Sequence, residues 1–157
     1  MLIGILGELY RRDLSKLKDE IGLYADDDDL WRVEGDISNS AGNLSLHISG
    51  NLQHFFGAVL GDSGYVRDRD GEFTRKGVSR TELLSEVDAA LDDVIETLAG
   101  LTDEDLESIY PIEVFGSPMK TGFFLTHLAT HLNWHLGQIN YHRRLVAAKR
   151  DHVGSTP

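Results

Sequence analysis

The chain has 157 residues, 41% hydrophobic and 26% charged, with a formal net charge of −11 and no cysteine. That length suits a single domain with a buried core, set at residues 1–150, while the acidic balance argues against a nucleic-acid binder, which needs clustered Lys and Arg. Without cysteine there are no disulfides or thiolate ligands, so any metal must be held by imidazole, carboxylate or water.

Residues Leu2 to Gly22 read as a first helix. Leu2, Ile5, Leu6, Leu9, Leu14, Leu17 and Ile21 make an apolar stripe, with Arg11, Arg12, Lys16, Lys18 and Glu20 largely opposite. The apolar start lacks a basic leader and a small-residue cleavage site, so it is not a signal peptide and a cytoplasmic location is expected. No run approaches a membrane span. The tract Asp26 to Asp29 lacks the spaced ligands and central glycine of a calcium loop; a solvated turn capping a short helix toward Trp31 is expected instead. Trp31 and Trp134 are both expected in the core.

Ser38-Asn39-Ser40 offers N-cap chemistry, and a second helix is predicted from about Ser40 to Leu60. Its core stripe draws on Leu44, His47, Ile48, Leu52, Phe55 and Val59, which turns His47 toward the interior; His54, two turns later, shares that face. Gly50 and Gly57 lower helix propensity and admit the close approach of another backbone or a ligand. From Gly61 to Gly77 the chain becomes a long polar connection. Arg67 and Arg69 in it can recognise a carboxylate or phosphate on a small-molecule substrate; the alternative is salt bridges to Asp68, Asp70 or Glu72 that shape the loop.

A third helix is predicted from Ser79 to about Leu98, opened by a capping box of Ser79 and Glu82. Thr102 to Leu106 can start one more short turn, and Pro111, Gly116 and Pro118 mark an irregular crossing. The last helix is predicted over about Thr121 to Arg150, and the tail 151–157 is expected to fray. Four of the seven histidines lie in this last helix, between positions 127 and 142. His127, His131 and His135 form a ladder on adjacent turns, and two imidazoles so placed can grip one transition metal. Four amphipathic segments in a chain of this size predict an all-α four-helix bundle with a long loop between helices 2 and 3. Metal sites in such bundles are built from facing helices, so the second helix is the natural source of a third ligand. The residues alone leave His54, His127 and His142 open.

Several pieces in order, Asn39 to Leu44, His47-Ile48-Ser49-Gly50-Asn51-Leu52, Arg67-Asp68-Arg69, Glu72-Phe73 and His131-x-x-x-His135-x-Gly137-Gln138-Ile139, carry a resemblance. The chain resembles the DinB/YfiT-like superfamily, more narrowly a bacterial branch with the pattern HIxGNL…RDRxxEF…HxxxHxGQI. The resemblance implies a four-helix bundle whose divalent metal is held by His47, His131 and His135, with His127 and His54 as substitutes. His142 is expected to pack or hydrogen-bond at the helix end.

Three neutral imidazoles would keep coordination positions open for water or a substrate thiolate. Zn, Ni, Cu, Fe and Mn are not distinguished by such ligands. Each ligating ring needs a partner for its second nitrogen, and Asn43, Asn51 and Gln138 stand nearby in sequence. Members of the superfamily are similar to thiol-dependent enzymes: S-transferases using bacillithiol, mycothiol or glutathione, and a mycothiol-dependent isomerase. The resemblance thus implies a metal-dependent S-transferase that takes a low-molecular-weight thiol. The alternative is a non-catalytic metal- or small-ligand-binding module of a stress response. A homodimer is expected, because the first helix is apolar beyond one stripe and the family pairs through helix faces.

Overall fold

The computed structural model describes residues 1–153, with side chains to residue 149. Six helices form: α1 (Leu2–Gly22), α2 (Ala41–Leu52), α3 (Arg69–Thr74), α4 (Arg80–Gly100), α5 (Asp103–Glu107) and α6 (Thr121–Val153). No strand occurs among the described residues, only an isolated antiparallel bridge between Ile109 and Lys120. The fold is an all-α bundle of the four long helices. α6 continues past the expected end at Arg150, and the last residues of the expected tail, 154–157, lie outside those described.

The four long helices form a ring in the order α1–α4–α2–α6. Their directions follow from paired contacts. α1 and α6 run parallel: Tyr10 donates to the Leu125 carbonyl (2.7 Å) and Asn140 to Glu20 (2.7 Å). α2 and α4 are also parallel, with Gln53 meeting Glu86 and the Phe56 carbonyl accepting from Thr97. The two pairs oppose each other, since Lys18 reaches Asp88 while Gly7 sits beside Leu98. Parallel neighbours cannot be joined by a tight turn, so the chain between α2 and α4 must travel back along the bundle. That return path is the long polar connection, and it carries α3 alongside α2.

All twelve residues of α2 are buried. Ser40 caps it, accepting from the Asn43 N–H. Beyond Leu52 the predicted second helix does not stay α: Gln53–Ala58 widens into a π turn, with Val59 N–H donating to His54 and Gly61 N–H to Phe56. Tyr110 and Thr97 donate to the Phe55 and Phe56 carbonyls there (2.7 and 3.1 Å). In α1 the buried stripe is Leu6, Tyr10, Leu14, Leu17 and Ile21, while Leu2 and Ile5 face outward.

Some local expectations are corrected. Ser79 does cap α4, but Glu82 binds Arg75 (2.8 Å) rather than turning back on the cap; a complete capping box forms instead at Thr102 and Asp105. The acidic tract does lead into a 3-10 turn (Asp28–Trp31), yet Asp29 is buried beside Arg32 rather than solvated. Trp31 packs against the core, over Gly42, and donates to the Val78 carbonyl. Trp134 does not: it is 68% exposed.

Candidate metal centre

α2 lies beside α6 in the ring, and the two helices bring imidazoles to one spot. His47, His131 and His135 offer nitrogens that all lie within 4.8 Å of one another. His131 Nε2 stands 3.3 Å from His47 Nε2 and 3.1 Å from His135 Nε2. Bonds of about 2.0–2.1 Å to one cation, at octahedral to tetrahedral angles, put ligand nitrogens roughly 3.0–3.4 Å apart. The spacing therefore fits a divalent metal, without selecting which one.

The outward nitrogens of two rings have acceptors. His47 Nδ1 lies 2.9 Å from Glu72 Oε2, and His135 Nδ1 lies 2.7 Å from Gln138 Oε1. With these acceptors the protons sit on Nδ1, and both Nε2 lone pairs point inward. That is the tautomer a metal ligand needs. Burial pushes His131 down to about 4, and the neighbouring His135, His47, His127 and Arg67 push the same way. Burial also lowers His135, against the Gln138 hydrogen bond that raises it. Both shifts favour the neutral form of the ring, the form that ligates.

Glu72 is 5% exposed. It accepts from Arg67 through Nε (2.6 Å) and Nη2 (2.9 Å) as well as from His47. Burial works against its charge, but the hydrogen bonds from His47 and Arg67 prevail and hold the carboxyl below its usual range. α2 is shaped to receive it. Asn43, one turn before His47, donates to the carbonyls of Glu72 (3.0 Å) and Arg75 (2.8 Å). Gly50, nearly one turn after, has no Cβ where the Glu72 carboxylate lies. Asn43 thus docks α3 rather than serving a histidine, and Gln138 alone of the three amides near the histidines reaches a ring. Glu72 was not legible as a histidine partner: it is one acid among several in a polar loop, and only its place in the RDRxxEF piece singled it out.

The remaining candidates stand around the centre. A cleft of about 560 Å³ opens beside His47 and His131, with His54, His127 and Arg69 on its walls and Phe55, Phe115 and Phe124 as its apolar side. His54 and His127 lie outside the three-histidine group; the His127 ring packs on Phe115 at 4.9 Å. Burial and Arg67 lower His54. Asn51 also faces this cleft, its Oδ1 buried and without a partner. Arg67 is engaged by Glu72, whereas Arg69 is exposed. A second cleft of about 450 Å³ lies on the other flank, beside His135 and Gln138. His142 is buried at the end of that cleft, accepting from Tyr24 at Nδ1 (2.7 Å) and donating to the Arg32 carbonyl from Nε2 (2.8 Å).

The family model described as the DinB superfamily matches residues 8–139. This chain belongs to the DinB superfamily. Its fold is similar to the crystal structure of a DinB-like protein from Bacillus cereus ATCC 10987, with a TM-score of 0.67 and 20% identity over 86% of each chain. At that identity the likeness speaks for the fold of this DinB-superfamily protein alone. No curated protein matches it. No described helix is long and apolar enough to cross a membrane.

Proposed function

We propose that this DinB-superfamily protein binds a divalent transition metal through His47, His131 and His135 and works as a metal-dependent enzyme of the thiol S-transferase kind. The observation that carries the reading is the convergence of three imidazoles, from two neighbouring helices, beside an open cleft. Three protein ligands leave room for a substrate atom, as in catalytic rather than closed structural centres. The Arg67–Glu72 pair cancels its own charge, so the cation's two positive charges would remain for an anionic donor such as a thiolate. A bound metal would supply Lewis-acid stabilisation of that sulfur near neutral pH. The protein's own part is to hold the cation, to exclude water with Phe55, Phe115 and Phe124, and to meet an anionic group of the small-molecule substrate with Arg69. The nucleophile comes from a low-molecular-weight thiol, since the chain has no cysteine. The proposed setting is the cytoplasm, and the proposed assembly is a homodimer.

Elemental analysis of protein purified without chelator or an affinity tag of histidines tests the metal. Wild type should carry a transition metal and His47→Ala far less; equal contents would refute the site. Loss of thiol with an alkyl halide then tests turnover. If wild type is no faster than His47→Ala, the protein is a metal- or small-ligand-binding module instead.

A further inference from the structure

We infer that Glu72, locked by Arg67, is the positioning residue of the histidine centre, fixing His47 as the Nδ1–H tautomer with Nε2 aimed at His131 and His135. This rests on the metal reading above but concerns residues outside the histidine set. A carboxylate this buried is costly unless every lone pair that leaves water finds a donor. Glu72 has three: Arg67 Nε on one oxygen, and Arg67 Nη2 and His47 Nδ1 on the other. A carboxylate has no proton to give, so His47 must donate from Nδ1, and in the neutral ring that leaves the lone pair on Nε2.

The Arg67 side chain is itself only 12% exposed, and its guanidinium is also packed on the Phe55 ring, 5.7 Å from the centroid. A bidentate, stacked guanidinium is rigid. Arg67 also lines the cleft but spends its Nε and Nη2 on Glu72 and so acts through it, whereas Arg69 on the same wall is exposed. A pair meant only to staple the loop would not need to sit inside the bundle. This one is admitted by the bare backbone at Gly50 and by Asn43 holding the Glu72 carbonyl, both on the His47 side of α2.

Glu72→Gln separates positioning from shape. The variant has nearly the same volume, but it offers one oxygen where Arg67 and His47 need two. With its oxygen at the Oε2 position the amide still accepts from Arg67 Nη2 and His47 but sets its N–H2 against Arg67 Nε–H, and turned the other way it sets N–H2 against His47 Nδ1, so either placement weakens the hold on the ring. Competition of Zn²⁺ against a chromogenic chelator should show affinity falling roughly 10–100-fold in Glu72→Gln and in Glu72→Ala. Ring ¹⁵N–¹H correlation spectra of the metal-free proteins should show His47 held as Nδ1–H in wild type and no longer held in that single form in Glu72→Ala, with circular dichroism unchanged. Unchanged Zn²⁺ affinity and an unchanged His47 ring in Glu72→Ala would overturn the inference. Wild type that takes up no Zn²⁺ would overturn the metal reading, while the ring spectra would still judge the hold of Glu72 on His47.

Discussion

Gly50 shows how a single missing atom supports the centre. In a helix interior alanine is ordinarily better than glycine by about 0.5–1 kcal/mol. At Gly50 the sign reverses. A Cβ there would overlap Glu72 Oε1, stand 3.1 Å from its Cδ and crowd the Tyr65 hydroxyl at 3.3 Å. Glu72 has no slack, because Arg67, His47 and the Asn43 contact to its carbonyl hold it on three sides. Gly50→Ala should therefore cost about 1–3 kcal/mol, the usual penalty for overpacking. Denaturant midpoints of the two metal-free proteins would measure it; a variant more stable than wild type would mean the carboxylate is not packed against α2. At this scale the sequence is partly readable. His131 and His135 announce a shared face by their spacing, but the partner of His47 does not, because nothing local aligns an acid in a loop with a particular turn of a helix.

At the scale of elements, the parallel pairing of α1 with α6 depends on a few polar contacts along their seam. Asn133 donates to Asp13 (3.1 Å), while Asn140 (2.7 Å) and Arg143 (2.6 Å) both donate to Glu20. Burial opposes the charge on Glu20, but the bonds from Arg143 and Asn140 outweigh it and depress its carboxyl below the usual range. A depressed carboxyl stabilises the fold above its unfolded pKa, and that contribution disappears as pH falls through the folded value. Glu20→Gln should therefore lose about 1 kcal/mol at pH 7. The gap to wild type should close as the pH drops below about 4.5, where the unfolded carboxyl takes up its proton. Thermal melts of metal-free protein across that window check it; a gap independent of pH would mean the charge is not what holds the seam. The four long helices were legible from apolar period and caps, α1 to both its ends, whereas α3, inside the polar connection, was not. Their order around the ring was not, since an apolar stripe says that a face is covered and not by which neighbour. The π turn after Leu52 was also hidden, because it depends on Thr97 and Tyr110 taking carbonyls from distant parts of the chain.

Seen whole, the protein is a ring of four helices in which the return path between two parallel neighbours has been turned into half of the centre. α2 and α6 bring the imidazoles, and the path from α2 back to α4 brings the carboxylate that orients one of them. This division leaves the outer face of α6, beside the histidines, without a ligand of its own, yet that face is not polar. Phe123, Trp134 and Tyr141 are 65, 68 and 69% exposed. They stand eleven and seven residues apart, close to whole numbers of helical turns, so they share one face. Exposed Leu2 at the start of the neighbouring α1 stands beside Phe123 and widens it. Single exposed apolar residues are ordinary, but large aromatics gathered along one helix mark a contact surface. A second copy related by a two-fold axis would cover the same face on both chains. Light scattering on a sizing column should then give the mass of a dimer. Phe123→Glu, which buries a charge in that contact without touching the histidines, should give a monomer with its metal content intact. Wild type that runs as a monomer at micromolar concentration, or a variant that stays dimeric, would place the contact elsewhere or remove it.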